Sequence, residues 1–120
     1  MLRIRGLIQR GCRHFSLRMT EFAETFSDAT GETLHPGTMN VKIDSQLPIQ
    51  EHFRTPDPLD PNQNLLFEIC RINGFWAYRI RPQNIHTGEG GHGDDTIEVA
   101  CSRELPNIRE GSFVDIEFFR

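Results

Sequence analysis

Apolar and polar residues alternate along most of the chain, which is the pattern of strands with one buried face. The period lengthens only over residues 20–30, where Phe22, Ala23 and Phe26 fall on one face of a predicted helix and Gly31 suits the position after its end. The sequence therefore predicts a mainly β fold, a small closed β-barrel of six or seven short strands with one short helix. The alternating stretches are residues 2–9, 14–18, 38–43, 64–71, 75–80, 96–101 and 112–119.

Turn residues divide these strands. Asn73-Gly74 is the favoured pair for a type I′ turn and predicts a hairpin between residues 64–71 and 75–80. Residues 44–63 are predicted to form a long loop, because their four prolines exclude a central strand or a long helix. Residues 83–95, with four glycines, two histidines and three acids, form a second predicted loop. A turn of helix is expected within residues 102–110.

Length and composition limit the classes of protein to which this chain can belong. The 120 residues suit one domain, 1–120, and mean hydropathy of −0.48 is that of a globular chain. A net charge of −4 argues against nucleic acid as the main partner. Cys12, Cys70 and Cys101 are widely spaced and form no CxxC, which favours a reducing cytoplasm. We expect no secretory signal, no membrane span and no obligate protein partner, although the arginine-rich, acid-free residues 1–19 leave an organelle-transit interpretation open.

The stretch His35–Ile43 joins a Pro-Gly turn to a strand with two chemically different faces. Met39 and its apolar neighbours at alternate positions belong in a core. Thr38, Asn40 and Lys42 share the opposite face, where a hydroxyl, an amide oxygen and an ammonium would suit a hard cation bound with phosphate. The simpler interpretation is a turn followed by a half-buried strand.

Other candidate residues have competing interpretations. The loop over residues 86–95 could cradle phosphate, bind a metal through its histidines and acids, or simply be solvated, and it lacks the ending of a P-loop. Glu98 alternates with Ile97 and Val99, so the local pattern predicts that it faces solvent. Trp76 and Tyr78 could stack on a flat ring or only pack.

The chain resembles the archaeal CTP-dependent riboflavin kinases over essentially its whole length. The resemblance is carried by residues 35–43 (HPGTMNVKI), by Thr96-Ile97-Glu98-Val99 and by residues 110–116 (EGSFVDI). It implies a six-stranded cradle-loop β-barrel and transfer of a phosphoryl group from CTP to the 5′-hydroxyl of riboflavin, which gives FMN. Such transfer depends mainly on positioning and charge stabilisation.

The resemblance also implies roles for particular residues. Thr38 and Asn40 match the family's Mg²⁺ ligands, and Glu98 matches its flavin-binding carboxylate. The flavin site is further expected to include His86 and Thr87, although there the loop is longer and out of register. The nucleotide is expected to contact Gly11, Arg13, Arg103, Glu104 and Leu105.

Two departures keep other functions open. At residues 11–15 the chain lacks the later glycines of the family's phosphate-binding loop. The groups that donate hydrogen bonds to the nucleotide phosphates would then come from Arg13 or from the loop over residues 87–93. Pro106 also stands where the family has a basic residue. The alternatives are a barrel that binds nucleotide or flavin without catalysis, and an unrelated barrel with a structural or regulatory role.

Overall fold

A computed structural model of the protein describes residues 1–9, 23–35, 38–84 and 93–120. The described part contains one helix and seven strands, which confirms the prediction of a mainly β fold with one short helix. The helix is α1 (Ala23–Thr30), and the strands are β1 (Leu2–Gln9), β2 (Thr38–Lys42), β3 (Phe53–Asp57), β4 (Asp60–Ile72), β5 (Phe75–Pro82), β6 (Thr96–Ala100) and β7 (Phe113–Phe118).

All seven strands belong to one antiparallel sheet, in the order β3-β4-β5-β6-β2-β1-β7. The last strand also pairs with β4, through Cys70 opposite Phe118 and Ile72 opposite Ile116. Six strands therefore form a ring of hydrogen-bonded neighbours, and β3 pairs with β4 outside that ring.

The two faces of the sheet carry separate apolar clusters. The main core receives buried side chains from all six strands of the ring, namely Ile8, Val41, Cys70, Ile72, Ala77, Ile97, Val99, Val114, Ile116 and Phe118. The smaller cluster lies on the other face of β4, β5 and β6 and contains Leu65, Phe67, Ile80 and Ala100 together with Phe26 of α1. Phe67 contacts Phe26 edge-on at 6.2 Å and stacks on Phe53 at 4.8 Å between ring centroids. The helix therefore covers the outer face of the sheet rather than the main core.

The hairpin prediction is confirmed in detail. The strands β4 and β5 meet at Ile72 opposite Phe75, which leaves a two-residue turn. Asn73 and Gly74 both have positive φ, 47° and 83°, as a type I′ turn requires. With both residues in this conformation, the twist of the turn matches the right-handed twist of the paired strands, and so Asn-Gly sets the register of the longest strand pair.

The proline-rich segment differs from its prediction. Residues 53–57 form β3, and β4 begins at Asp60 rather than at residue 64. The exclusion of a central strand is nevertheless confirmed, since β3 pairs only with β4 among the described strands and its register shifts between Pro56 and Asp57. A proline lacks the N–H that a second neighbour would need, but an edge strand tolerates that loss.

Smaller predictions have mixed outcomes. Gly31 follows the helix as expected and donates its N–H to the carbonyl of Ser27 at 2.8 Å. Ala23, however, is exposed, because the described helix buries only Phe26. Residues 101–112 contain turns but no helix. The predicted strand over residues 14–18, Phe22 and most of the glycine-rich loop lie outside the described residues. Among the described residues, no helix has the length and apolar character needed to cross a bilayer.

Candidate functional site

The strand β2, which follows Pro36-Gly37 in the sequence, pairs with β6, the strand that carries Glu98. In this antiparallel pair Asn40 lies opposite Glu98, Thr38 opposite Ala100, and Lys42 opposite Thr96. Side chains directly opposite each other have Cβ atoms about 4.5–5.5 Å apart. The register therefore brings together Thr38, Asn40 and Glu98, which are far apart in sequence. We call Thr38, Asn40, Lys42, Thr96 and Glu98 the polar face.

The expected division of β2 into two faces is confirmed. Val41 is fully buried in the main core, and Met39 packs against it. Thr38, Asn40 and Lys42 point to the other side. These three side chains therefore lie on the sheet face that also carries the Phe26 cluster.

Glu98 is 7% exposed, so the prediction that it faces solvent is wrong. Glu98 does alternate with Ile97 and Val99, but both faces of β6 are covered. Ile97 and Val99 lie in the main core, while Ala100, on the same side as Glu98, belongs to the Phe26 cluster. A buried carboxylate costs free energy unless charges or hydrogen bonds compensate it, which makes this position chemically distinctive.

Thr38 and Asn40 provide oxygen atoms that suit a hard cation. Asn40 is 2% exposed. The Thr38 Oγ1 atom is buried and has no hydrogen-bond partner among the described residues. Residues two apart on a strand lie about 7 Å apart along one face. The Thr38 hydroxyl and the Asn40 amide oxygen are the type of ligand that Mg²⁺ takes, since this ion prefers oxygen atoms and keeps several of its waters.

Two ion pairs lie at the Lys42 end of the polar face. Lys42 Nζ contacts the Asp95 carboxylate, and Arg81 Nη2 lies 3.0 Å from Asp94 Oδ1. Burial lowers the pKa of Arg81 below its usual value, while the negative charges of Asp94 and Glu98 oppose that shift. Arg81 therefore partly offsets the charge of Glu98 in this half of the face.

At the opposite end of the polar face the chain leaves β6 for the segment expected to contact nucleotide. The N–H of His35 donates to the carbonyl of Cys101 at 2.7 Å, which ties this segment close to the start of β2. Leu105 is buried, and the guanidinium of Arg103 lies 4.4 Å from the ring centroid of Phe75. The same segment forms a surface cavity of about 480 Å³, which is lined by Glu104, Leu105, Pro106, Asn107, Ile108 and Arg109.

The two aromatic candidates have different surroundings. Trp76 is 60% exposed and stacks on Phe119 at 5.4 Å between ring centroids, so it is not part of the polar face. Tyr78 lies opposite Ala100 on the side of β6 that carries Glu98. Burial raises the pKa of Tyr78, and the nearby Glu32 carboxylate, which accepts its hydrogen bond, raises it further. Tyr78 and Glu32 thus extend the polar surface beyond β6.

Sequence reasoning missed Arg81 and Glu32, and it named Asp94 and Asp95 only as possible metal ligands of the glycine-rich loop, not as members of this surface. Only the adjacent Asp94-Asp95 pair directly before a strand gave a signal, and its meaning depends on the β2–β6 register. The expected nucleotide residues Gly11 and Arg13 and the expected flavin residues His86 and Thr87 lie outside the described residues. No protein-family model and no curated protein sequence matches the chain.

Proposed function

We propose that the chain is a CTP-dependent riboflavin kinase-like phosphotransferase built on a cradle-loop barrel, which converts riboflavin to FMN with Mg²⁺. The observation that carries the proposal is the register of β2 and β6. It sets Asn40, which belongs to the Pro-Gly-Thr-Met-Asn sequence motif, directly opposite Glu98 of β6. The resemblance assigns these residues to a cation and to flavin, and their pairing is what a shared site requires. The ring of strand pairing supports the barrel.

In this proposal some residues of the site bind the nucleotide with its Mg²⁺, and others bind the flavin. Thr38 and Asn40 would hold Mg²⁺, which supplies charge neutralisation for the phosphoryl group when bound. Glu98 would accept a hydrogen bond from the flavin, and its burial would strengthen that contact. The cavity over residues 104–109 would receive the nucleotide, since its lining includes Glu104 and Leu105, two of the residues expected to contact it. Each role consists of positioning or charge stabilisation, which is most of what phosphoryl transfer asks of a protein.

A second candidate is a barrel that binds nucleotide or flavin without transferring phosphate. The observation that favours it is the pairing of Lys42 with Asp95 and of Arg81 with Asp94. These two cations are each paired with a carboxylate, whereas phosphoryl transfer needs positive charge at the migrating group. Cytoplasmic location remains our expectation for either function.

A discontinuous assay tests the kinase proposal. Riboflavin, Mg²⁺ and each of CTP, ATP, GTP and UTP are incubated with the protein, and FMN is separated by chromatography. We expect FMN with CTP, and a loss of at least about tenfold for Thr38→Ala and for Asn40→Ala, corresponding to about 1.4 kcal/mol or more. Thr33→Ala and Asn62→Ala, at exposed positions off β2, are the matched controls and should keep activity.

The assay and a binding measurement separate the two candidates. No FMN with any donor, from protein that still binds CDP in a Mg²⁺-dependent manner by calorimetry, would favour the non-catalytic barrel. No FMN and no binding of either CDP or riboflavin would remove both candidates.

A further inference from the structure

The outer surface of β1 and β7 has a charge pattern that the proposed function does not use. Its residues are Arg3, Arg5 and Leu7 of β1 and Phe113, Asp115 and Glu117 of β7, which we call the β1–β7 surface. The two arginines and Asp115 are exposed, and Phe113 is exposed over 60% of its surface. Arginine and exposed aromatic side chains are enriched in protein interfaces and in their energetic hot spots.

The strand register arranges these residues in three rows. Arg3 lies opposite Glu117, Arg5 opposite Asp115, and Leu7 opposite Phe113. Each row therefore has its cation or its aliphatic side chain on β1 and its matching anion or aromatic ring on β7.

This pattern is complementary to itself. A two-fold axis parallel to the strands and above the line between β1 and β7 would lay each β1 residue over the β7 residue of the same row in a second copy. Arg3 and Arg5 would then face Glu117 and Asp115 of that copy, and Phe113 would cover its Leu7. The same contacts would form twice, as an interface between identical subunits requires.

Contacts within one chain already order these side chains. The Arg5 guanidinium lies 4.8 Å from the ring centroid of Phe113. Glu117 is held between Arg3, at 3.4 Å, and Arg71, at 3.3 Å. Ordered side chains lose less conformational entropy on association, which lowers the cost of forming an interface.

We propose that the β1–β7 surface is a homodimer interface. A second copy fits better than an anionic polymer, because an acid lies opposite each of the two arginines and the chain as a whole carries −4. The exposed ion pairs would set the orientation of the two copies, while Phe113 and Leu7 would supply most of the buried apolar area. This proposal does not depend on the kinase assignment.

Charge reversal across the axis tests the proposal by sedimentation velocity over a wide range of protein concentration. The wild-type mass should rise with concentration from that of one chain, 13.8 kDa, towards twice that value. Arg5→Glu alone and Asp115→Arg alone should each remain at the mass of one chain, because like charges then face each other in both symmetric contacts. Asp44→Arg, an exposed reversal off this surface, should associate like the wild type.

The decisive arm mixes the two single variants. In a mixed pair both cross-axis contacts join opposite charges again, so the mixture should recover the dimer that neither variant forms alone. Recovery by mixing cannot come from contacts within one chain, even though Arg5 and Asp115 are also neighbours there. The proposal is overturned by a wild type that stays monomeric, including one that binds heparin instead, by variants that still dimerise, or by a mixture that remains monomeric.

Discussion

At the scale of single residues, two buried thiols should make the free energy of unfolding depend on pH in the alkaline range. Cys70 is completely buried in the main core and Cys101 is 3% exposed. Burial, and secondarily the neighbouring Cys101 and Glu68, raises the pKa of Cys70 from 9.0 to about 12. Burial chiefly raises the pKa of Cys101 to about 11. The folded chain therefore keeps both thiols protonated where an unfolded chain would ionise them.

The sign of the resulting pH dependence follows from these raised values. Below pH 9.0 both states hold the Cys70 proton, so its contribution to stability is complete, and between there and about pH 12 only the folded state holds it. The free energy of unfolding should then fall by about 1.4 kcal/mol per pH unit for this group. Urea unfolding at a series of alkaline pH values should give a shallower decline for Cys70→Ala than for the wild type. Parallel declines would contradict the assignment, whatever the offset between the two curves.

At the scale of elements, the close approach of β1 to β2 depends on Gly6. A methyl group at Gly6 would overlap Cγ1 of Val41 and lie 3.0 Å from the backbone oxygen of Lys42. Gly6→Ala should therefore push β2 away from β1 and cost about 1–3 kcal/mol of unfolding free energy. Urea unfolding measures that loss.

A double-mutant cycle with Val41 identifies the cause of the loss. Val41→Ala removes the overlapping methyl, so the double variant should lose less stability than the sum of the two single changes. Additive losses would mean that Gly6→Ala acts through something other than this overlap. In the proposed enzyme the same displacement would move Thr38 and Asn40, so FMN formation should fall along with stability.

The elements that could be predicted are those whose signals are local. Alternation gave the bounds of β1 and β7 to within a residue, and Asn73-Gly74 gave the hairpin. The strand β3 was not predicted, because the prolines of residues 44–63 weaken every strand signal there. Its residues, Phe53–Asp57, form a strand by pairing with β4. The predicted exposure of Glu98 was wrong for a related reason, since the alternation along β6 does not show that both of its faces are covered. The meeting of Asn40 with Glu98 is a matter of register between strands more than 50 residues apart, which no local pattern contains.

At the scale of the whole molecule, a buried ionic cluster joins the segment that follows β2 to three strands of the ring. Glu68 of β4 is fully buried and receives two hydrogen bonds of 2.9 Å from Arg120, the second residue after β7. Its Oε1 also accepts the N–H of Gln50 at 3.1 Å and lies 3.9 Å from Nη1 of Arg79 in β5. The two arginines donate in turn to the carbonyls of residues 47 and 48, at 2.7 and 2.8 Å. The cluster thereby fastens the segment after β2 to β4, β5 and the end of β7.

The two arginines of this cluster differ in burial, and Arg79 is the more buried of them. Its side chain is 1% exposed, and its Nη1 atom has no hydrogen-bond partner among the described residues. Burial lowers the pKa of Arg79 to about 10, and the charge of Glu68 acts against that shift. Arg120 is 20% exposed and can be solvated if its partner is lost. Glu68 is therefore needed mainly to compensate Arg79.

Removing the charge of Glu68 should accordingly cost more than removing that of Arg120. Glu68→Gln leaves a buried guanidinium without its counter-charge, and we expect a loss of about 3–5 kcal/mol of unfolding free energy. Arg120→Gln should cost about 1–2 kcal/mol, since water can replace part of what it loses. The double variant Glu68→Gln/Arg79→Gln should be more stable than Glu68→Gln alone, because no unpaired charge then remains in the interior. Urea unfolding of the four proteins measures these differences. If Glu68→Gln fell within about 0.5 kcal/mol of the wild type, the cluster would be incidental to stability and the ring would be held by its apolar core alone.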